Sequence, residues 1–364
     1  MTAALKVLAS GLHTTVQDLG RPGYQAIGVP VSGALDGFNL RLANALVGNS
    51  SGSPALEILL SGPTLEVAAD TVRVALAGVG ASLAIGSRRS FASPDAVSPS
   101  GAWARGAERK RVLAAGQSVT LPRGEVFQII PGEQSACCYL AAEGGIAVPL
   151  VLGSASTYVR AAIGGIEGRA LRRGDVVPLG VACASARAEL RLPSPPSATS
   201  EQPIRVVLGP QREYFAAEAV VTLLGREFRV SPNADRMGMR LDGPPLRHRH
   251  GWDIVSDAIA TGAIQVPGSG QPILLLADHQ TTGGYPKIAT VVSADLPVVG
   301  RRRPGDALRF VAVTVEAAEA LCRDAERRLA ELIARLEPVA DRAGIDLGSL
   351  YGDNLISGVV TGVE

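Results

Sequence analysis

Hydrophobic positions in this chain follow two rhythms. From Ala55 to about Val181, short apolar runs such as LEILL, TLEVA, VRVALAG, VFQII and CCYLAAEGG recur between Gly, Pro and Asn/Asp turns. Runs of that length bounded by breakers predict strands, and many of them at even spacing predict an all-β barrel or sandwich. A strand opens the chain at Leu5 to Ala9. Further apolar, β-rich runs follow at Ile204 to Leu208, Phe228 to Val230, Ala263 to Val266 and Pro272 to Ala277. The helical rhythm occurs twice. At residues 37–47, Asp36 stands as N-cap and Gly48 as the C′ residue; Phe38, Leu42, Ala45 and Leu46 form one apolar face, with Arg41 and Asn44 off it. From Thr314 as N-cap, Val315, Ala318, Cys322, Ala325, Leu329, Leu332 and Leu336 repeat three and four residues apart until Pro338. That pattern is an amphipathic helix, packing on its own domain or on a partner.

The segment RLPSPPSATSEQP, Arg191 to Pro203, is rich in Pro and Ser and has no apolar period, so it marks a boundary. The expected architecture is mainly β with two β-barrel-type domains. The first covers 1–192 and includes the helix near 37–47; a linker at 193–203 leads to the second at 204–313, and a helix and tail fill 314–364. GRALRRGDVVPL, from Gly168, and GRRRPGDALRF, from Gly300, each place a basic stretch, then Gly-Asp, then a strand. They predict that the two halves end in similar β-elements.

Composition narrows the function. At 364 residues and 46% apolar the chain exceeds the roughly 250–300 residues at which single cores split, consistent with two domains. A net charge of +1 argues against nucleic acid or an anionic membrane as partner, leaving small molecules and proteins. Cys137, Cys138, Cys183 and Cys322 show neither CxxC spacing nor a disulfide framework, and no leader or membrane span is read. A soluble protein in a reducing cytoplasm is expected, with vicinal Cys137-Cys138 as core packing.

Three polar clusters are candidate chemistry. The richest, Asp278 to Lys287, holds Asp278, His279, Gln280, Thr281, Thr282, Gly283, Gly284, Tyr285 and Lys287 after a buried strand. Gly283 and Gly284 could bring backbone N–H groups to an anion, or form an ordinary glycine turn. Lys287 is one of only three lysines, so a compact ammonium there carries weight. The second cluster, GLHTTVQDLGRPGY, packs Thr14, Thr15, Gln17, Asp18 and Arg21 between glycines, as a hydrogen-bonding loop or as a brace in which Asp18 and Arg21 satisfy each other. The third brackets Met237-Gly238-Met239 with Asp235, Arg236 and Arg240, an Arg fork for a carboxylate or phosphate, or a structural Asp–Arg pair. His248 and His250 lack a third ligand, so no metal is expected. The nucleotide, zinc-hydrolase, serine-hydrolase and dinucleotide motifs GxxxxGK[ST], HExxH, GxSxG and GxGxxG do not occur. Gln, Asp and Thr groups beside a Gly-Gly turn can both donate to an amide oxygen and accept from its N–H, which suits planar amides and ureas.

The stretches TTVQDLGRPGY, GVPVSGALD, RLANALVGN, LEILLSGP, ADRMGMRLDG, SDAIATGAIQVP and LLADHQTTGGYPKIATVVSADL, in this order from about Val7 to Phe310, resemble the family of the 5-oxoprolinase C subunit. This is the KipA or PxpC family, also called allophanate hydrolase subunit 2, and it is related to biotin-dependent carboxyltransferase domains. The resemblance implies a cyclophilin-like barrel in the C-terminal domain. It implies two partners, the KipI-type B subunit of 5-oxoprolinase together with the A subunit, and ATP-driven conversion of 5-oxo-L-proline to L-glutamate. It also implies ATP with Mg, shared with the partner, and no bound biotin, there being no Met-Lys-Met carrier motif. By position it implies Lys287, Gln280 and Asp278 as catalytic residues. Thr15, Gln17, Asp18, Arg21, Arg236, Gln265, Thr281, Thr282, Gly283, Gly284 and Tyr285 would bind substrate. The chain departs from the family pattern at Asp257, where Glu is usual, and at Arg301, where Gln is common. Two other roles attach to the same family: carboxyltransferase component of a urea or amide carboxylase, and a non-enzymatic KipA-type regulator that binds a KipI-like partner.

Overall fold

The computed structural model describes residues 3–92, 110–194 and 202–339. The first half is built from β1 (Ala4–Ala9), β2 (His13–Gln17), β3 (Ala55–Leu59), β4 (Thr64–Val67), β5 (Thr71–Ala77), β6 (Ser82–Gly86), β7 (Arg111–Ala114), β8 (Ser118–Pro122), β9 (Val126–Ile130), β10 (Cys137–Ala142) and β11 (Val176–Pro178). They form a six-stranded sheet, ordered β11-β1-β4-β9-β6-β7, and a five-stranded sheet, β2-β3-β10-β5-β8. Alternate residues of both sheets, Leu5 and Leu65 from one and Ile58 and Leu140 from the other, meet in a single core, as the period of two requires. The other face of the five-stranded sheet is covered by α1 (Gly37–Leu46), whose Leu42 and Leu46 pack on Ala75, Cys137 and Tyr139. Vicinal Cys137 and Cys138 therefore enter different cores from opposite faces of β10. A short helix, α2 (Arg88–Ala92), follows β6.

Helix α1 starts where the sequence places it. The Asp36 carboxylate accepts from the Asn39 N–H at 3.0 Å, and Gly48 follows in a left-handed conformation. The apolar face is wider than expected. Asn44 is wholly buried, donating to the Ser53 carbonyl at 2.8 Å, because the sheet and a loop surround the helix there.

The second half adds β12 (Leu190–Arg191), β13 (Ile204–Leu208), α3 (Ala217–Gly225), β14 (Phe228–Ala234), β15 (Gly238–Asp242), β16 (Asp257–Ala258), β17 (Ala263–Gln265), β18 (Ile273–Leu275), β19 (Thr282–Gly283), β20 (Lys287–Val291), α4 (Leu296–Gly300), β21 (Ala307–Leu308) and β22 (Phe310–Ala312). Eight of these strands run β21-β14-β15-β18-β17-β20-β13-β22. β21 and β22 are separated only by Arg309, so one stretch of chain pairs with both ends of the sheet and nearly closes it into a barrel. Val206, Phe228, Leu241, Ile264, Leu274 and Ile288 fill the interior.

The two halves do share a β-element. Gly174 and Gly305, both left-handed, donate to the carbonyls of Val7 and Val230 at 2.8 and 2.7 Å. Asp175 and Asp306 each accept from the backbone of a preceding Arg, at 2.7 and 2.8 Å. The same Gly-Asp turn thus locks a late strand of each half onto an early one.

From the barrel, α5 (Val315–Ala334) returns to the first half, capped by Thr314, whose hydroxyl accepts from Ala317 at 3.2 Å. Leu332, Ile333 and Leu336 pack into the α1 core, Arg41 forms a two-pronged ion pair with Glu326, and β23 (Glu337–Pro338) pairs with β12. The helix docks on its own chain. No helix among the described residues is long and apolar enough to cross a membrane.

Candidate active site at the junction of the halves

Strands β14 and β15 form a hairpin whose register slips: Val230 faces Leu241, but Ala234 faces Met239. The surplus lies at Ser231-Pro232-Asn233, a bulge, and a proline is tolerated at such a break in the ladder. A second slip lies between β17 and β20, where Ile264 faces Ala289 but Gln265 faces Lys287. These two bulges turn polar side chains onto the outer surface of the barrel. The result is a cleft of about 420 Å³ lined by Asn233, Asp235, Arg240, Gln265, Gln280 and Tyr285, with Ile273 and Leu275 as its apolar wall and Arg160 reaching in from the first half.

Within the cleft, the Gln280 amide donates to the Gln265 side-chain oxygen at 3.3 Å, and Gln265 donates to the Tyr285 carbonyl at 3.4 Å. Gln280 is held from behind by His279. Burial pushes the His279 imidazole below its ordinary value, so it is neutral at neutral pH. Its Nδ1 faces the Gln280 carbonyl at 2.6 Å and must donate; its Nε2 therefore accepts from the Thr261 hydroxyl at 3.1 Å.

Of the two readings of Gly283 and Gly284, the anion nest does not form. Neither glycine is left-handed: Gly283 pairs with Asp257 in the β16–β19 ribbon, and the Gly284 carbonyl accepts from Ile254 at 2.8 Å. At Gly283 a Cβ would stand 2.8 Å from both Gln265 Nε2 and Ile259 Cδ1, so any side chain there would push these two side-chain ends aside. Thr281 accepts through its carbonyl from Ile259 at 3.0 Å, and Thr282 is exposed in the same ribbon. Lys287 is buried, its ammonium 3.0 Å from the half-exposed Asp257 carboxylate, which Gln211 also contacts at 3.0 Å. That bond to Lys287 holds Asp257 below the usual carboxylate range.

Arg236 and Asp278, expected in the pocket, are placed beneath it. Arg236 binds Asp278 through two hydrogen bonds of 2.8 and 3.1 Å, reaches across to Glu57 of β3, and donates to the Gly33 carbonyl at 2.6 Å. Every nitrogen of this guanidinium is committed within the chain. Burial would lower Arg236, but Glu57 and then Asp278 push it above its ordinary value. Glu57 also accepts from Tyr139 at 2.6 Å and from the Leu35 N–H at 2.9 Å. Asp235 and Met237 on either side of Arg236 both line the cleft, as does Gln280 two residues beyond Asp278. This buried charge node therefore fixes two of the cleft's walls.

The first-half cluster is also a brace. The Asp18 carboxylate accepts from Gly20, Ala155 and the hydroxyls of Ser154 and Ser156; Gln17 donates to Thr15 and to the Thr157 carbonyl; Arg21 donates to the carbonyls of Val151 and Ser156. None of Thr15, Gln17, Asp18 or Arg21 lines the cleft. They pin the segment that leads into the Val159–Ala161 turn, and Arg160 is presented from that turn. Arg21 and Asp18 do not satisfy each other directly, being tied to different backbone and hydroxyl groups. Sequence reasoning missed Arg160 and Asn233 as cleft residues. The Pro-Asn pair inside a strand pattern was a readable sign of the bulge, whereas nothing local marks Arg160. His248 points Nε2 at the Val266 carbonyl at 3.1 Å.

The nearly closed barrel sheet thus carries a bulge-lined cleft on its outer surface. The family described as carboxyltransferase domain, subdomain A and B, matches residues 27–312, and the chain belongs to it. Among its relatives, the 5-oxoprolinase C subunit of Escherichia coli (strain K12) is 35% identical over 91% of this chain and 98% of that protein, and its Haemophilus influenzae counterpart of the same name is 34% identical over 86% and 93%. Urea amidolyase of Saccharomyces cerevisiae is 31% identical over 87% of this chain but only 17% of its own length. The crystal structure of the K. lactis urea amidolyase superposes with a TM-score of 0.76 at 29% identity, covering 91% of this chain and 20% of that one.

Proposed function

We propose that the chain is the C subunit of an ATP-dependent 5-oxoprolinase, which with its A and B subunits converts 5-oxo-L-proline and water to L-glutamate. The observation that carries this reading is the correspondence with 98% of the E. coli 5-oxoprolinase C subunit. The cleft's chemistry supports it. Gln265 and Gln280 present one carboxamide pair in a partly enclosed site, and a lactam has the matching donor and acceptor on one edge. In this reading Gln280 orients the lactam, and Lys287, held by Asp257, places positive charge beside the loop where negative charge develops. Asp278 acts through the position of Gln280 and does not touch substrate.

ATP would supply the phosphoryl group that activates the lactam oxygen; one water would add to the carbonyl carbon, the ring C–N bond would break with its nitrogen taking a proton, and a second water would hydrolyse the resulting carboxyl phosphate to glutamate and inorganic phosphate. A cleft of about 420 Å³ suits the lactam and leaves the nucleotide to lie across the boundary with the KipI-type B subunit. Its lining offers one carboxylate, Asp235, so Mg would rest mainly on nucleotide oxygens and water. A cytoplasmic location goes with this proposal.

A second reading, carboxyltransferase component of a urea carboxylase, is supported by the likeness to urea amidolyase. The test is ADP release by the chain mixed with the A and B subunits, given 5-oxo-L-proline or, separately, urea with biotin and bicarbonate. Lys287→Ala and Gln280→Ala are expected to abolish oxoproline-dependent ADP and glutamate while the B subunit still binds. Unchanged turnover in both variants removes this loop from the mechanism, and activity with urea alone selects the second reading.

A further inference from the structure

Strand registers place three cleft residues in one row. Arg240 of β15 lies opposite Ile273 of β18, which in turn lies opposite Gln265 of β17. Residues directly opposite one another point to the same face, and adjacent strands lie about 4.8 Å apart, so Arg240 and Gln265 stand roughly 10 Å apart with Ile273 between them. Met239 and Leu241, on either side of Arg240, point into the barrel core. Arg240 is exposed and, among the described residues, its side chain makes no hydrogen bond or ion pair, in contrast to Arg236 only four positions earlier. Arg160, also exposed, faces the same cleft and, among the described residues, has only Asp235, 4.0 Å away, as an ion-pair partner.

The geometry points to Arg240, assisted by Arg160, as the anion anchor of this cleft, holding the carboxylate of a small ligand whose planar amide sits on Gln265 and Gln280. The inference rests on the proposed site and deepens it by naming the substrate class. A guanidinium suits a carboxylate because its fork can donate two parallel hydrogen bonds. Ile273 supplies an apolar floor for the carbon skeleton between the two polar ends. The row therefore selects an amide that carries a carboxylate over a neutral amide such as urea, which has nothing to offer Arg240. The residue that sequence pattern put forward for this task, Arg236, has no nitrogen left for it.

Two measurements test the anchor. In the complex with the A and B subunits, Arg240→Ala is expected to raise KM for 5-oxo-L-proline about 10- to 100-fold, the effect of one hydrogen-bonded charge contact, with a smaller change in kcat; Arg240→Lys restores part of it. Arg160→Ala gives a smaller shift in the same direction. Independently of turnover, NMR titration of the chain compares 5-oxo-L-proline with 2-pyrrolidinone, the same lactam without its carboxylate. Tighter binding of 5-oxo-L-proline, lost in Arg240→Ala, supports the anchor even where the complex shows no oxoprolinase activity, in which case only the proposed reaction falls. Equal affinity for the two lactams, binding of neither, or an unchanged KM in both alanine variants overturns the anchor and leaves the reaction to be judged on ADP release.

Discussion

Arg236→Met tests whether the buried charge node joins the halves. The side chain keeps its length but loses four hydrogen bonds, two to Asp278, one to Glu57 and one to the Gly33 carbonyl. Glu57, 0% exposed, and Asp278, 4% exposed, are then left without their ion-pair partner. Removing one member of a buried pair costs about 3–5 kcal/mol, a large share of the roughly 5–15 kcal/mol that holds a domain folded. Urea denaturation followed by circular dichroism at pH 8 reads the deficit. With an m-value of about 3 kcal/mol/M, the midpoint falls by about 1 M or more. Glu57→Gln is expected to fall in the same direction, because an amide in that place turns its NH₂ toward either Arg236 or the two donors Tyr139 and Leu35. A shift below about 0.3 M for Arg236→Met, equivalent to under 1 kcal/mol, would refute the view that this node clamps the junction.

Other perturbations follow from the same geometry. His13 and His279 are both held below the ordinary histidine value, by burial first, so the unfolded state takes up their protons first. The stability each contributes is present above about pH 6.5 and is lost as pH falls through the folded-state value; His279→Gln should flatten the urea midpoint against pH between about 7 and 5. Gly283→Ala, with its Cβ 2.8 Å from Gln265 Nε2, should displace the Gln265 amide and lower turnover at least tenfold with little change in thermal midpoint, because no left-handed conformation is at stake. For α5, Leu329→Ala at a site 2% exposed should cost about 2–5 kcal/mol, whereas Arg41→Ala, which breaks the partly exposed pair with Glu326, should cost under about 1 kcal/mol; equal losses would show that charge, not apolar burial, docks the helix.

The elements whose cause is local were legible in sequence. Asp36 and Thr314 cap helices because their side chains reach an N–H three residues on, and the twin Gly-Asp turns repeat because one backbone conformation ends both halves. The polar clusters were legible as clusters but not as sites. A buried carboxylate that braces a loop and one that meets a ligand call for the same residue types in the same kind of stretch, and only the partner distinguishes them. Those partners are distant: Glu57 meets Arg236 across 179 positions, and Asp18 meets Ser154 across 136. Hence Asp18, Arg21, Arg236 and Asp278 read as pocket residues while serving as its frame. In the second half, the cleft-lining groups are displaced from them by one to four residues, as Asp235 and Arg240 are from Arg236 and Gln280 is from Asp278. A residue that anchors a wall must point into the protein, so the cleft is lined by its neighbours in the chain: Asp235 directly before Arg236, and Arg240 and Gln280 after the chain has turned past the anchor.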